Sequence, residues 1–277
     1  MSKWWDPIST FVAARLGLPT ILCSAVGGDN LGQTASRWLS DAGVDLTGLV
    51  NENEGSTAYT TVITDKILNR LAFHHRGVSA TYNQADLPDS VLQQASTLLI
   101  SGYPLLPAWR SEGVIQTLAE AKKLGIMTAF DIGPAIGEPA VIEEISPFLN
   151  NVDYFICNAH ELAVCTHTED INNGMSQLLE AGVKRVIIKQ GAEGAVVREA
   201  DYALGLQVPG FRVQAQFTVG AGDSFNAGFL YGIMKGWDLR QATVFANATA
   251  ALTVSSNRGV LGSPTLDAVL SILADTE

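Results

Sequence analysis

Cysteine is scarce in this 277-residue chain, with only Cys23, Cys157 and Cys165. So few thiols, in an odd number, cannot staple a fold of this length, so they read as packing residues and stability has to come from a core. Cations are short as well: 17 Lys and Arg stand against 28 Asp and Glu, a formal charge of -11. No basic stripe is available to neutralise a phosphate backbone, which argues against a nucleic-acid partner. No apolar run approaches the roughly 20 residues that span a bilayer, and residues 1–17 lack a charged start followed by an apolar block; no membrane partner is expected and the location reads as cytoplasmic. Two common nucleotide fingerprints are missing too, a Gly-x-Gly-x-x-Gly turn after an early strand and a Gly-Lys-Ser/Thr phosphate loop. Internal repeats, low-complexity stretches and long linkers are absent.

What remains is 47% hydrophobic, ample for a large core. Apolar runs rich in β-branched residues at 21–26, 97–101, 126–131, 154–157 and 185–189 read as strands, and helical patterns at 31–42, 111–124, 174–181 and 239–254 fall between or after them. Strand-helix alternation predicts a mostly parallel sheet covered on both faces. Residues 57–64 and 67–74 break the rhythm: two strand-like runs meet at Asp65-Lys66 without a helix, which predicts a hairpin.

The most informative segment is Thr-Val-Gly-Ala-Gly-Asp-Ser-Phe-Asn-Ala-Gly-Phe, residues 218–229. Gly220, Ala221 and Gly222 carry little or no side chain, so successive amides can approach an anion where a helix begins. Asp223 falls in the first turn of that helix, where a carboxylate can take the proton of an attacking hydroxyl while the amides bear phosphoryl charge. On local evidence the alternative is a plain glycine turn with Asp223 as helix cap.

This segment resembles the C-terminal signature of the ribokinase-like (PfkB) carbohydrate kinases, and the resemblance runs in motif order from about residue 14 to the end. It implies a three-layer α/β/α fold with a small β lid, ATP and Mg2+ as cofactors, a sugar or related small alcohol as acceptor, and Asp223 as base. A nucleoside kinase, or a truncated or non-catalytic binding relative, are the alternatives it leaves. Residues 1–50 and 77–277 are then the α/β body and 51–76 the lid insertion, through which a homodimer would form.

Other positions follow the same resemblance. Asn158-Ala-His-Glu161 ends a strand and matches the family's Asn-x-x-Glu magnesium motif; helix capping, or a Cys157, His160, Cys165 and His167 zinc group, are the rival readings. Lys189, Gly191 and Gly194 match a strand-end turn beside the nucleotide, with Lys189 where many relatives have a hydroxyl residue, and Asn247 matches a position lining the adenine pocket; on local evidence an ordinary strand turn, and a helical Asn turned to solvent or a neighbouring carbonyl, are the alternatives. From position and charge rather than resemblance, Asp131 at a strand end and Arg76 after the lid are substrate candidates; a cap of the following turn and a solvated lid edge are the alternatives. Two departures stand out. The family's opening strand, with its sugar-gripping Asp and Gly-Gly segment, is expected to be missing, through truncation or divergence: Lys3, Trp4 and Trp5 stand at the glycines and Asp6 is the nearby carboxylate. Phe217 replaces an Asp that helps bind a monovalent cation, so activation by such an ion is doubtful.

Overall fold

The computed structural model describes residues 2–4, 6–64, 70–202 and 204–275. In chain order, β1 (Ser2–Trp4), α1 (Pro7–Arg15), β2 (Thr20–Gly27), α2 (Asn30–Asp41) and β3 (Asp45–Glu52) precede a hairpin of β4 (Tyr59–Thr64) and β5 (Arg70–His75). There follow α3 (Asp89–Gln93), β6 (Thr97–Ser101), α4 (Glu112–Lys123), β7 (Met127–Asp131), α5 (Ile142–Leu149), β8 (Tyr154–Asn158), α6 (Ala159–Thr166), α7 (Ile171–Glu180) and β9 (Arg185–Lys189). The last third holds β10 (Ala195–Glu199), β11 (Leu206–Val208), α8 (Ala221–Met234), α9 (Leu239–Ser255) and α10 (Leu266–Ala274).

Nine strands form one sheet in the order β11-β10-β9-β8-β7-β6-β1-β2-β3. It is parallel from β9 to β3, and β10 runs antiparallel to both its neighbours. Successive side chains of a strand point to opposite faces, and the core divides accordingly. Val186 and Ile188 join Leu98, Ile100, Phe130 and Phe155 on one face, under α4, α5, α6 and α7. Ile187 joins Leu99, Ala129 and Ile156 on the other, under α1, α8 and α9. That is the three-layer arrangement expected of strands that are apolar on both sides. Among the described residues no helix is long and apolar enough to cross a membrane.

The opening strand is present in shortened form. Ser2–Trp4 lies in the middle of the sheet, with Ser2 paired to Thr20 on one side and Thr97 on the other. Three residues thus fill the gap that the sequence leaves for a missing strand, and they satisfy the inner edges of β2 and β6. The chain then turns directly into α1, which Asp6 caps by accepting from the amides of Ile8 (2.9 Å) and Ser9 (3.0 Å).

The hairpin forms its own two-stranded sheet. Its register pairs Thr64 with Arg70, not with Ile67 as a two-residue turn at Asp65-Lys66 would; residues 65–69 of the expected hairpin lie outside the described residues. A clasp fixes the base of the hairpin. The Asp29 carboxylate caps α2 at Gly32 (2.8 Å) and also accepts from the Thr57 amide (2.9 Å) and hydroxyl (2.6 Å). These bonds hold the Asp29 carboxyl at about 2, below its ordinary 3.8, the Thr57 hydroxyl contributing most.

Candidate active site

The carboxyl ends of β7, β8 and β9 and the first turn of α8 meet where α/β sheets collect ligands. Gly220 is the N-cap of α8 in the left-handed region (φ 82°), with no side-chain cap. A Cβ there would overlap Val260, so glycine is required both by the backbone and by the close approach of the segment before α10. The α8 amides of the first turn therefore have no side chain capping them, which is what an anion-binding helix start needs. Asp223, in that first turn, makes no capping bond; its carboxyl lies against that of Asp6. Burial raises the Asp223 pKa well above the ordinary carboxylate range, and the negative charges of Asp6 and Asp131 add to it, while Lys189 opposes them. Asp6 is raised too, chiefly by burial.

Asp131 and Lys189 form the other half of the site. The Lys189 ammonium donates to Asp131 Oδ2 (2.8 Å) and Asn226 Oδ1 (3.3 Å), and the Asn226 amide donates back to Asp131. Asp131 Oδ1 accepts from the Gly133 amide (2.9 Å). With both oxygens engaged, Asp131 is the buried counter-ion of Lys189 and the cap of the following turn, rather than a free grip for substrate hydroxyls. Burial would strip the Lys189 proton, but Asp131, Glu161 and Asp223 hold it in place and raise its pKa.

Asn158 and Glu161 are brought together as a reciprocal capping box of α6: Asn158 Oδ1 accepts from the Glu161 amide and Glu161 Oε2 accepts from the Asn158 amide, both at 2.8 Å. Each bond uses one oxygen, leaving Glu161 Oε1 without a bond in this box. Burial, then the charge of Asp131, pushes Glu161 up to about 7, against the pull of Lys189. A carboxylate so short of positive charge fits a hard cation, and one carboxylate beside an amide is the sparse protein donor set of magnesium, which keeps waters and phosphate oxygens as its other ligands. Among the described residues no group of three or more His, Cys, Asp and Glu side chains encloses a metal. The zinc grouping is therefore not formed; Cys157 and Cys165 are buried, and burial raises both thiols.

The strand-end turn is formed as expected, with Gly191 and Gly194 at φ 59° and 91°. Gly194 lets the backbone pass Val208 to Gly210, and the amide oxygen of Gln190 is buried without a partner beside this turn. Asn247 donates to the carbonyls of Val208 (3.2 Å) and Pro209 (3.0 Å), so it ties down this wall through backbone and does not offer its N–H groups to the cleft. Arg76 is exposed, and its guanidinium approaches Gly137 in the loop that follows Asp131. Three features escaped the sequence reading: the Asn226 bridge, the Asp6–Asp223 pair and the Asp29–Thr57 clasp. The last had a local signal in Gly27-Gly28-Asp29 at a helix start.

Comparison with known proteins bears on this arrangement. The model of the pfkB family carbohydrate kinases matches residues 9–266. Among similar proteins, a 5-dehydro-2-deoxygluconokinase of Geobacillus thermodenitrificans is 27% identical over 92% of this chain and 79% of its own. An ATP-dependent ribose-1-phosphate kinase of Halopiger xanaduensis is 29% identical over 95% of this chain and 83% of its own. An Arabidopsis thaliana ribokinase solved with ribose and ATP has the same fold, with a TM-score of 0.83 at 23% identity over 96% of this chain and 86% of its own. The chain belongs to the pfkB family of carbohydrate kinases. It is a kinase whose reaction is ATP-dependent phosphorylation of a sugar or nucleoside hydroxyl.

Proposed function

We propose that Asp223 is the base of this reaction and that the acceptor is a small sugar or sugar derivative. The observation that carries the reading is an uncapped helix start, Gly220 to Gly222, with a half-buried carboxylate in the same turn. The amides and helix dipole face the phosphoryl charge while Asp223 removes the acceptor's proton. Asn158 and Glu161 would hold Mg2+, which supplies charge neutralisation to the phosphates. The nucleotide lies against the Gly191–Gly194 turn, whose wall Asn247 supports, and Arg76 stands at the mouth as the group that meets the acceptor. No monovalent cation is assigned, given Phe217.

Residues 51–76 act as a lid. Tyr59, Ile63, Leu71 and Phe73 are each at least half exposed, and the register sets Thr61 opposite Phe73 and Ile63 opposite Leu71, so they share one face of a two-stranded sheet too small to stand alone. A second copy of the chain covers that face.

ADP release from Mg-ATP, measured over a panel that includes 5-dehydro-2-deoxygluconate, ribose 1-phosphate and nucleosides, tests the function. Acceptor-dependent turnover that falls by roughly 10²–10⁴-fold in Asp223→Asn supports it; equal turnover in the two proteins refutes the role of Asp223. The pH profile gives a finer check. A base must be ionised, and Asp223 is raised, so the acidic limb of kcat/KM lies above the ordinary Asp value of 3.8; Asp6→Asn removes a like charge and moves that limb down.

A further inference from the structure

Lys189 is the last residue of β9, its side chain 13% exposed, and it points across the cleft to the first two turns of α8. Of its three N–H donors, two meet Asp131 and Asn226. The ammonium also packs on Gly222: a Cβ at that position would lie 3.3 Å from Nζ. Glycine at 222 thus does two jobs, exposing amides to an anion and admitting a cation alongside them. Lys189 acts electrostatically on Glu161 and Asp223 as well as on Asp131, so one ammonium serves several carboxylates. A lysine whose whole task was to neutralise Asp131 would give nothing that a buried apolar pair does not, since the desolvation of two charges offsets much of their attraction. Its position between the glycine-rich amides and the base supplies a reason to keep it.

We propose that Lys189 is a catalytic residue that clamps the transferred phosphoryl group, its ammonium sharing charge with an equatorial oxygen while Asp131 and Asn226 hold it in line. The proposal rests on the kinase reading above. In the step it serves, the acceptor oxygen bonds to the γ-phosphorus, the bond from phosphorus to the bridging oxygen breaks, and ADP leaves with that electron pair. The acceptor's proton goes to Asp223, and Lys189 keeps its own proton throughout. A compact point charge suits this task, because it follows an oxygen that moves during in-line transfer without the fixed fork of a guanidinium.

The test separates a phosphoryl clamp from a counter-ion. Lys189→Met strands Asp131 and is expected to lower the melting temperature; Lys189→Met/Asp131→Asn removes the stranded charge and restores it. Turnover is measured for both, alongside Asp131→Asn alone. A clamp predicts that kcat stays down by roughly 10²–10³-fold in the double variant although it folds, with the KM for ATP changed much less. A counter-ion predicts kcat within threefold of Asp131→Asn, which overturns the proposal. A second readout needs no turnover: trapping of ADP with aluminium fluoride, a planar stand-in for the transferred group, is expected to tighten ADP binding in the wild type and not in the double variant, and equal tightening in both overturns the clamp. Wild-type protein that releases no ADP with any acceptor refutes the kinase reading itself; wild-type turnover that survives in the double variant refutes the lysine's role alone.

Discussion

Asp131, Lys189 and Asn226 hold one another inside the protein beside α8, whereas Tyr59, Ile63, Leu71 and Phe73 of the β4–β5 hairpin turn to solvent. The first region is over-determined: each group is fixed by partners from other strands, and a glycine makes room for it. The second is held by its own ladder and by bonds at its base, among them Asp29 on Thr57 and the Val78 amide on the Ser56 carbonyl. On the proposed function, the charge that meets the phosphoryl group sits where partners fix it, and the surface that adapts to an acceptor or a second copy sits on the exposed hairpin.

Four substitutions sharpen or break this contrast, ranked by their effect on stability. Gly220→Ala puts a Cβ into Val260 at a φ of 82°, and a loss of about 3 kcal/mol is expected, read as a lowered denaturant midpoint. A midpoint within experimental error of wild type would mean that the α8 start is more yielding than described. Asn247→Leu removes the donor to the buried carbonyl of Val208 and to that of Pro209 and should cost about 1–3 kcal/mol, with a raised KM for ATP and little change in kcat. An unchanged KM would detach that wall from the nucleotide.

Asp29→Asn keeps a helix cap but weakens the clasp. Because the folded-state pKa of Asp29 is depressed from 3.8 to about 2, its contribution is fully present above pH 3.8 and is lost as pH falls through 2. The melting-temperature gap between wild type and variant should therefore close over that window, and a gap that persists at pH 2 would show that charge is not what the clasp uses. Phe73→Lys, on the exposed hairpin face, is expected to leave stability within about 0.5 kcal/mol while shifting the sedimentation profile toward monomer. An unchanged profile removes the lid from the assembly.

The same contrast explains how much could be read from the chain alone. The ends of β6 and β9 are legible because each is a near-continuous β-branched or leucine run, buried on both faces. The place of Asp223 in the first turn of α8 is legible because its signal is local, two glycines and an acid at a helix start. The network around it was not, since Lys189 is 58 residues from Asp131 and Asn226 is 95 from it, and no spacing rule spans such gaps. For Asn247 the sequence leaves a nucleotide contact and a neighbouring carbonyl both open, because its place in the helix is visible there while the carbonyls it serves are 39 and 38 residues away. The pairing of Thr64 with Arg70 rather than Ile67 has a different cause: a hairpin with an exposed face carries little to fix its register.

The short strand β1 also ties the site to the middle of the sheet. Residue 2 pairs with residue 20 on one side and residue 97 on the other, so three residues join the part of the chain before the hairpin to the part after α3. Asp6, two residues beyond β1, has its carboxyl against that of Asp223, so a shift of this seam would move one of the two facing carboxyls of the site.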